Sequence, residues 1–316
     1  MKKYLIAART ALQRSLKNRQ RIIVSCSYEG NTFFYPNDDD IGKLIASGHG
    51  WDGNVRIILS EMVHETTPFC VDIGANIGAT LMQIKLAKPG SEVYCFEPSS
   101  RFRDILKRNI EVNDWPGIHV TNLGLSDKAQ HLTLYSNEIT ASVVTKEYDN
   151  HTFFFQQKID ATTFDLYWED KERLDFIKSD TDGYDYTILQ GAAKTLSKFK
   201  PLLFFEFQVS QIVPNGQRPE DFIDFLIGLG YNKFLLFNNF GTPLAISKDA
   251  RDIMRIYKDP DLDVRFMDIL AVHGSKIEQS RKMDELFRNL TSGKIQPVVR
   301  KPINRLQARH AQTSGS

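Results

Sequence analysis

A glycine-containing loop near residue 75 has the composition of a ligand-binding turn. The apolar run Phe69–Ile73 is followed by Gly74, Ala75, Asn76 and Gly78, and a helix-forming segment comes next. Glycine allows the backbone to turn sharply and to approach a ligand that a Cβ atom would exclude. The start of the helix offers unpaired N–H groups to a polar or anionic group. We therefore predict that these four loop residues bind a ligand through their backbone.

The residues around this loop favour one class of nucleotide-derived ligand over another. A dinucleotide site has the pattern G-x-G-x-x-G, in which the second glycine lets the pyrophosphate approach the helix. Here Asn76 stands at that position, and Asp72 precedes the loop. A carboxylate there suits the positive sulfur and the α-amino group of S-adenosylmethionine, because it lowers the cost of removing them from water. We predict S-adenosylmethionine as the cofactor and Asp72 as one of its contacts, with a nicotinamide cofactor as the less favoured alternative.

A carboxylate at the end of the next predicted strand fits the same ligand. Glu97 and Pro98 follow the apolar run at 94–96. A carboxylate at this place can accept hydrogen bonds from both ribose hydroxyls of an adenosine. Pro98 ends the strand because it has no N–H group for the sheet. Glu97 and Pro98 therefore extend the predicted cofactor site by one βαβ unit.

These stretches and several later ones resemble the FkbM family of methyltransferases. The resemblance covers about residues 37–274 and rests on 71–78, 96–98 with Asn109 and Asn113, 122–127, 177–184, 189–192 and 201–206. It implies a class I methyltransferase fold, cofactor contacts by the first two motifs, and O-methylation, often of sugars or glycan-containing products. We add Ser126 and Asp127 to the predicted cofactor contacts. The family usually has Glu where this chain has Asp182, so the fine geometry at that position stays open.

Three charged residues at the ends of the fourth and fifth predicted strands could carry the chemistry of methyl transfer. Ligands gather at the carboxyl ends of parallel strands, which places Lys178, Asp180 and Glu206 on one rim. An acceptor hydroxyl must be aligned and must lose its proton. In one arrangement, Asp180 and Glu206 hold a divalent ion such as Mg²⁺, which chelates vicinal hydroxyls of a sugar. In the other, a carboxylate or His49 acts as the base, and Lys178 stabilises developing negative charge.

Lys178 could simply pair with a neighbouring acid, and two further candidate positions also have a purely structural explanation. Asp182 could cap the N-terminus of a helix that begins near Gly183, with Asp185 in the reciprocal position. His49 lies in the glycine-rich segment 47–53, which is either a mobile cover over the site or a surface loop that joins two helices. The sequence is compatible with all of these structural explanations and with the catalytic ones.

The alternation of apolar runs and helical stretches predicts the frame that positions these residues. Strands are predicted at 69–73, 92–96, 119–125, 174–179, 201–207, 232–237 and 268–273, and helices at 79–87, 101–112, 184–196 and 219–229. This order is typical of an α/β protein with a Rossmann-like fold, in which a mostly parallel seven-stranded sheet carries helices on both faces. The chain also predicts a basic amphipathic helix at 3–17, a hairpin at 21–35 and an added hairpin within 131–165.

These patterns divide the chain into three parts. We predict an N-terminal helix and hairpin extension at 1–50, a methyltransferase core at 51–275, and a C-terminal helix with a basic, disordered tail at 276–316. Residues 1–21 and those from 291 onward carry basic side chains without an acidic one. Such termini predict docking to an anionic membrane surface or to a partner, although a packed helix and a solubilising tail are the plainer explanations.

Composition narrows the class of protein. The 316 residues are 41% hydrophobic and 25% charged, with a net charge of +1. These values are typical of a globular protein and indicate no nucleic-acid partner. Three cysteines without metal-ligand spacing indicate a reducing compartment. No apolar run approaches the roughly 20 residues of a membrane span, so we expect a cytoplasmic protein without a transmembrane segment.

The leading hypothesis is an O-methyltransferase that acts on a saccharide or glycan intermediate. A second hypothesis keeps the fold and changes the acceptor to a small natural product or a lipid. A third is a non-catalytic module that serves as a scaffold in a larger glycan-assembly protein. The presence of Asp72, Gly74, Gly78 and Glu97 argues against a pocket that has lost its cofactor.

Overall fold

The computed structural model describes residues 22–136, 141–143, 155–213, 216–262 and 264–297. The predicted helix at 3–17 and the last part of the basic tail lie outside these residues. The described strands are β1 (Ile23–Tyr28), β2 (Asn31–Pro36), β3 (Phe69–Ile73), β4 (Glu92–Phe96), β5 (Ile118–Thr121), β6 (Gly124–Leu125), β7 (Gln130–Ser136), β8 (Ala141–Val143), β9 (Phe155–Thr162), β10 (Phe176–Ser179), β11 (Leu202–Phe207), β12 (Tyr231–Asn238), β13 (Pro243–Ser247) and β14 (Met267–His273). The helices are α1 (Asp40–Ala46), α2 (Gly53–Met62), α3 (Ala79–Ala87), α4 (Ser100–Val112), α5 (Phe164–Tyr167), α6 (Asp185–Gln190), α7 (Ala193–Phe199), α8 (Val209–Ile212), α9 (Pro219–Gly228), α10 (Ala250–Tyr257) and α11 (Ile277–Thr291).

The larger sheet has the strand order β5-β4-β3-β10-β11-β14-β12-β13. The first five of these strands are parallel, whereas β14 is antiparallel to both β11 and β12. All seven predicted strands are present, and β13 extends the sheet to eight strands within the described residues. The chain order reverses between β3 and β10, and the carboxyl ends of such neighbours form the crevice where ligands bind in open α/β sheets.

The two faces of this sheet are covered by different helices. Val71 and Ile177 belong to the core that contains α6, α7, α9 and α10, and Cys70 and Phe176 to the core that contains α2, α3 and α11. Because successive side chains of a strand point to opposite faces, Asp72 and Lys178 lie on the second face. The mostly parallel sheet with helices on both faces confirms the predicted fold class.

A second, smaller sheet has the order β6-β9-β7-β8. Its antiparallel strands β7 and β9 correspond to the hairpin predicted within 131–165. The prediction of one continuous strand at 119–125 is wrong, because the chain leaves the large sheet after β5 and pairs with β9 as β6. At this bend the N–H of Leu123 donates to the Thr121 hydroxyl oxygen. The small sheet is thereby joined to the carboxyl edge of the large one.

The predicted N-terminal hairpin, formed by β1 and β2, is fastened to α4. Asn109 accepts a hydrogen bond from the Phe34 N–H at 2.6 Å and donates to the Phe34 carbonyl at 3.0 Å. Asn113 makes the same pair of bonds with Thr32, at 2.9 and 2.8 Å. Asn109 also donates to the carbonyl of Ile77 at 2.9 Å, which connects the hairpin to the glycine loop.

The single helix predicted at 184–196 is wrong, because two short helices, α6 and α7, occupy this segment. At the break, a Cβ atom on Gly191 would overlap the carbonyl oxygen of Ser126. The second helix has its own cap, since Asp165 accepts a hydrogen bond from the N–H of Thr195 at 2.7 Å. The close approach to Ser126 and this cap together explain the interruption.

The remaining predictions on organisation have mixed outcomes. The predicted C-terminal helix corresponds to α11. In the part of the chain that the structure describes, no helix is both long and apolar enough to cross a membrane. The proposed boundaries near residues 50 and 275 stay a prediction.

Candidate active site

The loop between β3 and α3 lies in the crevice where the chain order reverses. Gly74 and Gly78 have φ values of 78° and 92°, a region that favours glycine. A Cβ atom on Gly74 would overlap the Asp180 carbonyl oxygen, so glycine is needed for the loop to lie against the end of β10. The N–H groups of Gly74 and Ala75 donate to the carbonyl of Phe96 at 3.0 and 3.1 Å, which ties the loop to β4.

Glu97 lies beside this loop, as the sequence predicts. Its Oε2 accepts a hydrogen bond from the Asn76 N–H, and its Oε1 accepts one from the Ser99 N–H, both at 2.8 Å. Burial raises the pKa of Glu97 to about 7, although the two N–H groups act in the opposite direction. Each carboxylate oxygen can accept a further hydrogen bond. Contact with a ribose therefore stays a prediction that this geometry allows.

A cavity of about 430 Å³ opens next to the loop and Glu97. Its wall has three parts: the loop with the end of β4, the apolar face of the small sheet, and the ends of β10 and β11. Lining residues from these parts include Gly74, Ala75, Asn76, Glu97 and Pro98; Leu125, Leu132, Leu134, Ala141, Val143 and Ile159; and Lys178, Asp180, Asp182, Glu206, Gln208 and Gln211. Most of the predicted cofactor residues thus share one cavity with three of the predicted catalytic residues.

Asp72 occupies a different place from the one that the sequence suggests. Its side chain is fully buried beneath the loop and is not part of the cavity wall. Asp72 Oδ1 lies 3.5 Å from Lys178 Nζ, and the two residues are partners in register between β3 and β10. Burial raises the pKa of Asp72 to about 6, and the attraction of Lys178 limits this rise. The structure therefore pairs Asp72 with a lysine under the cofactor loop.

Lys178 is shared among several acceptors. Its Nζ lies 3.5 Å from Asp180 Oδ2 and 4.0 Å from Asp52 Oδ2, and it donates to the Gly74 carbonyl at 3.5 Å. Burial alone would lower the pKa of Lys178, but the surrounding carboxylates, Asp180 foremost, raise it above its ordinary value. An ammonium group with this many acidic neighbours positions the loop and Asp180, and it has no unshared charge to offer to a developing oxyanion.

Asp52 and Trp51 are candidate functional residues that were not predicted individually from the sequence, although both belong to the segment 47–53. Asp52 Oδ2 accepts a hydrogen bond from the Thr80 hydroxyl at 2.6 Å, and both Thr80 and Trp51 line the cavity. In the sequence, Asp52 is placed as an N-cap of α2, a common position for aspartate. In the structure, the side chain of Asp52 makes no capping hydrogen bond, and the backbone of this residue has a φ of 52°. Only the folded chain shows that it faces the cofactor loop.

The end of the cavity beyond the loop is acidic. Glu206 Oε2 is buried and has no hydrogen-bond partner among the described residues. Burial and the neighbouring carboxylates, above all Asp180 and Asp182, raise the pKa of Glu206 well above its ordinary value. The raised pKa favours the protonated form of Glu206, which can donate a hydrogen bond to a ligand.

Besides Asp72, four predicted site residues lie outside the cavity wall that the described residues define: Gly78, Ser126, Asp127 and His49. Gly78 lies behind the loop, where it faces Leu106. The Ser126 hydroxyl contacts the Tyr184 hydroxyl at 2.9 Å and donates to Asp127 Oδ1 at 3.1 Å. His49 Nδ1 lies 2.9 Å from the Ser47 hydroxyl oxygen. From the segment that contains His49, it is Trp51 that reaches the cavity.

The structure also corrects the expected cap after β10. α6 begins at Asp185, and its N-cap residue, Tyr184, makes no side-chain capping bond. Asp185 instead accepts hydrogen bonds from the Ser179 hydroxyl at 2.5 Å and the Thr181 N–H at 3.3 Å. The expected reciprocal pair of Asp182 and Asp185 is therefore wrong, and Asp182 lines the cavity.

The predicted magnesium site is not supported. Asp180 and Glu206 both line the cavity, but the described parts of the chain contain no group of three or more His, Cys, Asp or Glu that could hold a metal ion. The carboxylate of Asp180 faces the ammonium of Lys178, and burial beside other carboxylates raises the pKa of Glu206 well above its ordinary value. These two side chains alone do not make the oxygen-rich ligand set that Mg²⁺ requires.

Fold and site together define a class of protein. A parallel sheet with one antiparallel strand inserted beyond β11, a glycine loop after its first core strand and a carboxylate after the second are the features of a class I methyltransferase. The sequence profile of the methyltransferase FkbM domain matches residues 72–233, just over half of the chain. The chain therefore belongs to the FkbM methyltransferase family, which confirms the resemblance stated from its motifs.

Comparisons with individual proteins are more distant. The chain is similar to methyltransferase sdnD of Sordaria araneosa, with 29% identity over 157 residues, which are 40% of this chain and 61% of the relative. Among solved structures, it is similar to methyltransferase FkbM from Methylobacillus flagellatus KT, with 18% identity and a TM-score of 0.42 over 70% of this chain and 48% of that one. TYW2 of M. jannaschii in complex with AdoMet shares 13% identity, with a TM-score of 0.39 over 80% of this chain and 86% of that one. The match thus spans about three fifths of the curated relative's length.

Proposed function

We propose that this chain is an S-adenosylmethionine-dependent O-methyltransferase that acts on a hydroxyl group of a saccharide or glycan intermediate. The observation that supports this proposal most is that one cavity combines the glycine loop and Glu97 with a second, polar end at β10 and β11. A methyl donor and its acceptor need such a shared space, because the transfer requires the two reacting atoms to be in contact.

The first part of the cavity suits the chemical groups of the cofactor. Glu97 offers a carboxylate to the ribose hydroxyls, and the apolar side chains of Phe96, Leu125 and Ile159 offer a surface to the adenine ring. The start of α3 presents N–H groups to the cofactor carboxylate. The carboxylates around Lys178 suit the positive sulfur and ammonium groups. When bound, the cofactor supplies a methyl group on a positively charged sulfur.

The polar end of the cavity suits an acceptor with several hydroxyl groups. Asp180 and Asp182 can accept hydrogen bonds, Glu206 can donate one while it is protonated, and Gln208 and Gln211 can do both. An apolar acceptor would leave the buried Glu206 Oε2 without a hydrogen-bond partner, at a cost of about 1–3 kcal/mol. A saccharide can satisfy several of these polar groups at once.

Asp180 is the proposed proton acceptor. Its side chain is 29% exposed and reaches the cavity, while Lys178 holds it from behind at 3.5 Å. Asp180 takes the proton of the acceptor hydroxyl as that oxygen forms a bond to the methyl carbon. The electron pair of the breaking carbon–sulfur bond stays on sulfur, so atoms and charges balance. Glu206 orients the acceptor by a hydrogen bond.

The wall formed by the small sheet supports a second candidate acceptor. Six of its side chains that line the cavity are apolar: Leu125, Leu132, Leu134, Ala141, Val143 and Ile159. Part of this wall would adjoin the adenine ring, but a small natural product or a lipid with a hydroxyl group could also pack against it. For a saccharide, the polar end of the cavity would select the acceptor. For a small natural product or a lipid, the apolar wall would select it.

Calorimetric titration with S-adenosylmethionine, S-adenosylhomocysteine and NAD tests the cofactor first. We expect saturable binding of the first two and none of NAD. Binding of NAD alone would contradict the proposal, and binding of none would favour a scaffold module. A screen of saccharides and apolar alcohols follows, with methylated product detected by mass spectrometry and the Asp180→Asn variant as the control. Turnover of apolar alcohols alone would favour the second candidate.

A further inference from the structure

Three carboxylates surround one buried lysine beneath the cofactor loop. Lys178 Nζ lies 3.5 Å from Asp72, 3.5 Å from Asp180 and 4.0 Å from Asp52. The side chains of Lys178 and Asp52 are only 4% and 2% exposed. One ammonium group against three carboxylates leaves a surplus of negative charge, and Lys178 itself lines the cavity. The surplus therefore acts on whatever ligand occupies the cavity at this point.

Among the three carboxylates, Asp52 has a distinct position. Asp72 is the cross-strand partner of Lys178, and Asp180 faces the acceptor end of the cavity. Asp52 comes from the start of α2, before the segment that matches the family profile. It contacts Lys178 and the Thr80 hydroxyl, in the first turn of α3. Its charge can be changed without altering the proposed proton acceptor or the central strand pair.

We propose that Asp52 is a specificity residue that makes the site favour a positively charged sulfonium cofactor over its neutral thioether product. This inference rests on the cofactor assigned in the proposed function. A ligand atom in van der Waals contact with Lys178 Nζ lies within about 8 Å of the Asp52 carboxylate, because Asp52 is 4.0 Å from that nitrogen. At an effective dielectric constant of about 20, a unit charge at that distance changes the affinity for a cation by about tenfold or more.

The same charge has a consequence for turnover. Methyl transfer converts the sulfonium into a thioether and removes its positive charge. The negative surplus around Lys178 attracts the cofactor before the transfer and no longer attracts that sulfur afterwards. Asp52 therefore acts on the difference between the affinities for cofactor and product, and it acts through the field at the cavity wall rather than by touching the reacting atoms.

The Asp52→Asn variant tests this role. Asparagine tolerates the positive φ of this position and keeps an oxygen for the Thr80 hydroxyl, so the change removes mainly the charge. We expect the Kd for S-adenosylmethionine to rise about tenfold and that for S-adenosylhomocysteine to change less than about twofold. Sinefungin, which carries an amine in place of the sulfonium, should follow the cationic ligand. Calorimetry on the full chain measures all three.

Thr80→Val is the matched control, because it removes the hydrogen bond to Asp52 and leaves every charge in place. We expect it to change the affinities for both ligands by the same factor. An equal loss for both ligands in Asp52→Asn would show that Asp52 acts on the fold or on the ammonium group that both ligands share, and it would overturn the inference. Should Asp52→Asn fail to fold, Asp52→Gly provides a second neutral residue that tolerates the positive φ of this position. If the unaltered chain binds neither ligand, the proposed function itself fails, which is a different result.

Discussion

Replacing Glu97 by Gln removes a buried negative charge while the shape of the side chain is kept. In the native chain, the two carboxylate oxygens accept the N–H groups of Asn76 and Ser99 at 2.8 Å. Glutamine keeps one accepting oxygen, and its NH₂ group faces the other N–H. The contacts with the ribose are reduced in the same way. The single amide oxygen can accept a hydrogen bond from one ribose hydroxyl, whereas the two carboxylate oxygens can accept from both.

The loss of cofactor affinity can be estimated from this geometry. A hydrogen bond to a charged group contributes about 1.5–3 kcal/mol, so the loss of one to the ribose raises Kd by about 10- to 100-fold. S-adenosylmethionine and S-adenosylhomocysteine carry the same ribose. We therefore expect Glu97→Gln to weaken the binding of both by the same factor, in contrast to Asp52→Asn.

The same substitution changes how stability depends on pH. Burial raises the pKa of Glu97 from 4.5 to about 7, so the folded chain binds this proton more tightly than the unfolded chain does. The resulting contribution to stability is fully present below pH 4.5 and is lost as the pH rises through 7. It amounts to about 3 kcal/mol at about 1.4 kcal/mol per pKa unit. Glu97→Gln has no such titration, so its stability relative to the native chain should increase between about pH 5 and 8.

Two assays check these expectations. Calorimetry at pH 8 gives the affinities for both ligands, and urea unfolding at pH 5 and 8 gives the free energies of unfolding of both proteins. An unchanged affinity would show that Glu97 does not contact the ribose. A stability difference between the two proteins that does not vary with pH would contradict the raised pKa.

Three further substitutions separate the roles of neighbouring residues. Asp180→Asn should lower kcat at saturating cofactor by about 100-fold or more, and it should also weaken cofactor binding because it removes one of the three carboxylates around Lys178. Unchanged turnover at saturating cofactor would remove Asp180 as the proton acceptor. Gly74→Ala should lower the melting temperature and abolish cofactor binding, because its Cβ overlaps the Asp180 carbonyl oxygen. Gly48→Ala is its control, since Gly48 has a similar φ of 83° with open space around it and should cost only about 1–2 kcal/mol. Glu206→Gln keeps a hydrogen-bond donor at every pH, whereas Glu206 loses this donor when it ionises, so the rate of the variant should fall less than the native rate as the pH rises; parallel profiles would contradict this role.

The sequence predicts the cofactor loop well because its chemistry is local. Gly74 must adopt a positive φ immediately after a buried strand, and Glu97 follows the next strand by the same rule. The positions of most strands also follow from the alternation of strands and helices, whereas β13 and the break within 119–125 are not predicted by it. The break at Gly191 could not be predicted, because it depends on the approach of the Ser126 carbonyl from a distant part of the chain.

Side-chain direction accounts for the other differences. Asp72 and Ile73 are adjacent, but only the second faces the cavity, because neighbours in a strand point to opposite faces. His49 and Trp51 likewise belong to one segment, and the chain turns the indole rather than the imidazole to the cavity. In both cases proximity in sequence identifies the correct segment but not the correct side chain.

The role of Lys178 depends on how many carboxylates surround it, which the residue type alone does not show. A lone lysine at a strand end is well suited to stabilise an oxyanion, and the sequence equally allows it to pair only with a neighbouring acid. The strand order places Asp72 beside it in register, and the start of α2 adds Asp52. With Asp180 as a third acidic neighbour, the local balance becomes negative. Under the proposed function, a site of this sign would attract a cationic methyl donor and repel an oxyanion, which is why we propose a carboxylate rather than the lysine as the group that deals with the proton of the acceptor.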